Sequence, residues 1–176
     1  MDPVNRSGFA VLVTATLLAS ACGGPPPAVT ADRVERLQCD PGSDETRLVQ
    51  LFSGSSVLGA EPRYSHVLTM NNNAEERICG AKILMRPPEG MSAEQVTRLL
   101  QCHGARAVLG RIDGPELSED PFWLPDAWVS IEVKPDDGNY AVTTETDRLA
   151  DNIRLAALAA AFAQAHGAPA SGPSME

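Results

Sequence analysis

Four side chains in this sequence carry the chemistry of metal ligands or acid–base groups on segments regular enough to be placed: His66, Met70, Cys102 and His103. Tyr64 to Met70 alternates as a strand, so His66, Leu68 and Met70 share one face. Ser92 to Gly110 reads as a helix. Ser92 and Gln95 match a capping box, Val96, Leu99, Leu100, His103 and Ala107 recur at helical spacing, and Gly110 suits the C-terminal end. At 100° per residue His103 falls about 20° from Val96, in the middle of the apolar stripe, with Cys102 at its edge beside Leu99. If the helix packs on the sheet, His66, Met70, Cys102 and His103 converge. Imidazole, thiolate and thioether together suit copper best, with zinc or haem iron behind. Adjacent Cys102 and His103 diverge by about 100° on a helix, so one ion would bind both only at the stripe's edge. The other reading makes His103 a core residue bonded to a carbonyl and makes Met70 and Met85 core filler.

Signatures of catalysis are absent. Gly54-Ser55-Ser56-Val57-Leu58 lacks the closing glycine of a nucleophile elbow, and no phosphate-binding glycine loop or H-E-x-x-H occurs. The acids Asp136-Asp137 and Glu116, Glu119 and Asp120 read as solvated turn residues. The expectation is a non-enzyme.

The elements that position these residues follow from pattern. Thr30 caps a short helix over 31–38. Arg47 to Ser53 reads as a strand, Ile78 to Arg86 as another, and Asn71–Glu76 as the turn of a hairpin. Ala127 to Lys134 alternates cleanly, Asp136-Asp137-Gly138-Asn139 turns it, and Tyr140 to Glu145 returns. Thr146 or Asp147 caps a long Ala-rich helix to about residue 165. The expected fold is α+β: a small antiparallel or mixed sheet with a β-α-β-β-α core of the ferredoxin-like split βαβ kind, plus extra N-terminal strands. The last helix has two apolar sides, Leu149 with Ile153 and Leu155 with Leu158 and Phe162, and such a helix is sandwiched or lies at an interface. Leu155, Leu158 and Phe162, with Trp123 of the Pro-rich loop, are therefore the expected surface for an envelope protein partner or a second copy. His166, at the frayed helix end, reads as exposed.

The chain has 176 residues, 43% hydrophobic, with a net charge of −9, which suits one compact domain and gives no electrostatic reason to seek nucleic acid. Its first residues carry a second message. Arg6 precedes an apolar run from Phe9 to Ala21, too short to span a bilayer but suited to a signal peptide. The stretch Leu18-Ala19-Ser20-Ala21-Cys22 resembles the lipobox of bacterial lipoproteins, with the leucine one place earlier than usual. The resemblance implies cleavage before Cys22, its acylation, and export to the cell envelope. Gly23 after the cysteine implies the outer membrane, facing the periplasm. The expected organisation is a signal peptide over 1–21, a lipidated Cys22 and Pro-rich tether over 22–30, one domain over 31–166 and a disordered tail over 167–176. The segment from Ser92 to Arg106 also resembles helices of uncharacterised exported bacterial proteins, which attaches no activity. With Cys22 acylated, Cys39, Cys79 and Cys102 remain. In an oxidising compartment two of them pair, Cys39–Cys79 being the expected bridge and Cys79–Cys102 its rival.

The functional expectation is a binding module of the cell envelope, held to the membrane by its lipid and working through protein–protein contacts. The alternative is a periplasmic soft-metal protein using His66, Cys102 and His103, with Met70 as a further ligand.

Overall fold

The computed structural model describes residues 24–40, 44–52, 57–68, 74–112 and 115–167. The expected signal peptide, Cys22, Met70 and the tail beyond Gly167 lie outside them. Helices α1 (Pro27–Gln38) and α2 (Asp44–Phe52) precede the hairpin β1 (Val57–Leu68) and β2 (Ala74–Met85). Helix α3 (Ala93–Val108), a 3-10 turn (Pro115–Glu119), the hairpin β3 (Ser130–Asp136) and β4 (Asn139–Glu145), and helix α4 (Leu149–His166) follow.

The four strands form one antiparallel sheet in the order β1-β2-β4-β3. β2 and β3 are parallel to each other with β4 between them, and α3 joins them. That is the expected split βαβ within an α+β fold. No strand follows α4 among the described residues. The fourth strand comes from before the unit instead, where β1 pairs with the free edge of β2.

Alternation decides which face of the sheet is buried. Ala81, Ile83 and Met85 of β2 line up with Val142 and Thr144 of β4 and with Ile131 and Val133 of β3, and all seven are buried. Val96 and Leu100 of α3 and Leu155 and Ala159 of α4 pack on this face in one core. Residues of opposite parity, Lys82, Thr143, Glu132 and Lys134, turn the other way and stay partly or fully exposed. The capping box at Ser92 forms as expected: its hydroxyl accepts from the Gln95 amide, and the Gln95 side chain accepts from the Ser92 amide.

Two elements differ from the sequence expectation. Residues 47–53 are not a strand but the body of α2. Strand alternation would separate Leu48 from Leu51, whereas the helix brings Leu48, Leu51 and Phe52 to one side and leaves Val49 outside. The acid Asp44 at its first turn favours that helix through the backbone dipole. Helix α1 begins at Pro27 rather than Ala31, because a proline in the first turn has no amide hydrogen to miss and its φ is already helical. The tether loses four of its expected residues to this helix.

The hairpin is longer than expected and carries a bulge. Arg63 pairs with Gly80 and Tyr64 with Ile78, so Cys79 is the extra residue. Gly80 adopts φ of 142°, and a Cβ there would stand 2.0 Å from the Thr144 carbonyl oxygen. β4 pairs with β2 only over Ala81–Met85. The outer half of the hairpin, Tyr64–Leu68 with Ala74–Ile78, thus projects beyond the sheet as a two-stranded arm.

Candidate functional site

The structure does not assemble the expected soft-metal ligands. His66 lies on the arm with its side chain 74% exposed, 3.9 Å from the Glu76 carboxylate. Cys102 is fully buried and bonded to Cys39. His103 points to a third place, the loop after the 3-10 turn. The physical reason is the arm: β1 carries His66 past the end of the sheet, away from the helices that cover it.

The disulfide also corrects the expected pairing. Cys39 and Cys102, 63 residues apart with Cα atoms 5.5 Å apart, are joined, and Cys79 is the free, half-buried thiol. Neither Cys39–Cys79 nor Cys79–Cys102 forms. Helix α1 packs against α3 rather than on the sheet, with Ala31 and Val34 buried against Ala105. Cys39, at its C-terminal end, therefore meets the outer edge of α3, while Cys79 sits at the base of the arm.

Beside the bridge lies a charged cluster that the sequence analysis missed. Asp44 is 2% exposed. One carboxylate oxygen lies 3.2 Å from Arg98 Nη2, and the other accepts from the Asp40 amide at 2.8 Å. Arg106 Nη2 is 4.0 Å from Asp44 and donates to the Asp40 carbonyl at 3.1 Å, and Arg98 donates to the Gln38 carbonyl at 2.9 Å. The two sulfurs and an Asp44 oxygen lie within 4.8 Å of one another, a spacing that would suit a cation if the thiols were free. The sulfurs are bonded to each other, and two guanidinium groups occupy the carboxylate. Such a cluster holds the α1–α2 corner against α3. The only sequence signal was a helix that starts with an acid, facing two arginines eight residues apart on α3. Replacing Asp44 with Asn removes the buried charge that Arg98 pairs with and Arg106 faces, and the expected loss is about 2 kcal/mol in denaturant unfolding.

His103 and Asp120 form a second buried pair, with Nε2 and Oδ2 2.5 Å apart and side chains 14% and 11% exposed. The other Asp120 oxygen accepts from the Phe122 amide at 2.7 Å. Asp120, expected as a solvated turn acid, is thus the link that ties the Pro-rich loop to α3. It turns Phe122 inward to stack on Phe52 and meet Phe162 edge-on. Gly104 allows the approach, since a Cβ there would stand 3.0 Å from the Phe122 carbonyl oxygen. His103→Ala is expected to release this loop and lower stability by about 1–2 kcal/mol, read as greater protease cutting over residues 111–124.

The expected partner surface is used internally. Leu155 is fully buried against the sheet, and Leu158 and Phe162 pack on the main core beside Phe52 of α2. The half-buried Trp123 lines a shallow seam with Val108, Phe122 and Trp128 that has no room for a small-molecule ligand. Trp128 packs against α1. The side of α4 left open is the other one, Leu149 and Ile153. His166 is half-buried against the Phe162 ring, not exposed.

Among the described residues, the second face of the sheet carries no helix. Lys82 bridges Asp136 at 2.8 Å and Glu61 at 3.6 Å, and Lys134 pairs with Glu132 at 2.8 Å. The Asp136 carboxylate holds the Lys82 ammonium above its ordinary pKa, so Lys82 is charged throughout the physiological range. No protein-family model matches this sequence, and no curated protein or solved structure matches it.

Proposed function

We propose that this chain is an exported, lipid-anchored binding module of the bacterial cell envelope, acting without catalysis and docking a protein partner on the open face of its sheet. The observation that carries the reading is a four-stranded sheet whose helices, among the described residues, pack on one face only. The other face offers Lys82, Glu132, Lys134, Asp136 and Thr143 as a flat, mixed-sign surface. Mixed signs on an acidic chain suit a protein surface rather than a phosphate backbone. Export is supported by the lipobox-like leader and by the Cys39–Cys102 bridge, which belongs to an oxidising compartment. Gly23 after Cys22 favours the outer membrane. No helix among the described residues is long and apolar enough to cross a membrane, so attachment in this reading rests on the lipid. The soft-metal alternative gains no support from a sulfur held in a disulfide and a histidine on the distant arm.

The test is a photo-crosslinking residue placed at Glu132 or Thr143, and in parallel at Arg36 on the outer side of α1, in cells of the native host. One dominant adduct from the first two positions and not from the third is expected. The same adducts from all three positions, or none, would overturn the docking face. Mass spectrometry of the same protein reports whether Cys22 is its acylated N-terminus.

A further inference from the structure

We infer that the arm end of the domain rests on the lipid surface, with Tyr64 and Val67 of the arm and Leu149 of α4 at the interface. This rests on the lipid anchor proposed above and adds an orientation to it.

Three elements fix one end of the molecule. β4 runs toward the arm, and its last residue, Glu145, lies beside Arg63 at the base of the arm, 2.9 Å from its guanidinium. Asp147 follows, and α4 starts at Leu149. The chain enters at the same end: a Cβ built on Gly24 would stand 3.8 Å from the Asp147 carboxylate. Gly24 is two positions after Cys22, a span of at most about 7 Å at full extension. From the same end the five residues Tyr64–Leu68 carry the arm outward by about 17 Å. An acylated sulfur on so short a lead holds this end down, and the arm is longer than the lead.

The distribution of exposed apolar side chains agrees. Of the exposed large apolar side chains among the described residues, Tyr64, Val67, Leu149 and, in the first turn of α1, Val29 lie toward this end, with Ile153 one turn further along α4, while Leu37, Val49 and Leu58 lie elsewhere. Scattered alone they would need no explanation, but these lie on the elements that share the end where the chain enters. Tyrosine with its apolar ring and polar tip suits the headgroup boundary. The charges nearby do not favour anionic lipid: on the arm, at its base and at the start of α4, Glu75, Glu76, Glu145, Asp147 and Asp151 outnumber Arg63, Arg77 and Arg148. The contact is therefore one of apolar burial and insensitive to salt. The opposite end, with the β3–β4 turn at Asp137, then faces away from the membrane.

The experiment uses the full chain processed in a lipoprotein-acylating host, with Cys79→Ser to remove the free thiol. It is reconstituted in phosphatidylcholine vesicles containing nitroxide-labelled lipid. A fluorophore is attached through Val67→Cys or, separately, Asp137→Cys. Quenching several-fold stronger at 67 than at 137, unchanged by added salt, is expected. Val29→Cys, on a different element, gives the same contrast if the arm variant misfolds. Equal quenching with Cys22 acylated overturns the orientation alone. An unmodified Cys22 overturns the anchor and the orientation together.

Discussion

Gly80→Ala should lower stability by about 4 kcal/mol, from a clash and a backbone strain acting together. The atom in the way is the Thr144 carbonyl oxygen, 2.0 Å from where the new methyl would sit, with the Thr144 carbonyl carbon and the Glu145 Cα close behind. Backbone cannot swing aside as a flexible side chain can. The methyl is accommodated only if β2 and β4 part where Ala81 pairs with Thr144, under the buried core. The second contribution is the φ of 142°, which an L side chain rarely adopts. Gly110→Ala separates the two. It also has a positive φ, 64°, but nothing lies within 4 Å, so about 1 kcal/mol is expected. Urea midpoints of the three proteins decide the matter, and a Gly80→Ala variant as stable as Gly110→Ala would refute the close approach. The arm should suffer first, since the bulge at Cys79 and Gly80 is its root.

Reduction of the Cys39–Cys102 bridge is the other large effect. Closing a loop of 63 residues removes enough freedom from the unfolded chain to contribute about 4 kcal/mol. Over a domain of this size that is a fall of roughly 10–15 °C in melting temperature on adding a thiol reductant. Loss should begin at the α1–α2 corner. Without the bridge, α1 is held to α3 by a small apolar patch around Ala31, Val34 and Ala105 and by the Arg98 and Arg106 contacts. Hydrogen exchange should therefore rise first in α1. The variant Cys79→Ser should melt with the parent and respond identically to reductant. If instead it abolished the response, Cys79 would be the bridging partner and the bridge assignment would fail.

The parts of the fold legible in sequence were those written in local pattern. The capping box at Ser92, the alternation of Val129, Ile131 and Val133, and the turn at Asp137-Gly138 concern neighbours within a few residues, and each formed where expected. The helix α2 was misread because RLVQLF satisfies two periods at once, and only burial of Leu48, Leu51 and Phe52 against the core chooses between them. The failure at the site has the same origin. Placing His103 on the buried side of α3 was sound, since it is largely buried. What it meets there, an aspartate on a loop 17 residues away rather than a sulfur and a second histidine, depends on how the chain returns. His66 shows the same from the other side. Its place on a strand was read correctly, but nothing local says that β2 outruns β4 and leaves that stretch without a sheet to lie on.

The sequence by itself determined an acidic α+β chain, its strand–helix–strand–strand–helix order, and an N-terminal pattern that resembles a lipid-attachment signal. These rest on composition and on side-chain periodicity, which act over one element at a time. Only the tertiary structure decided which cysteine meets which, that Asp44 lies buried between two arginines, and that the arm, the start of α4 and the entering chain share one end. Those are contacts between residues tens of positions apart, set by which faces bury together, and no local period encodes them.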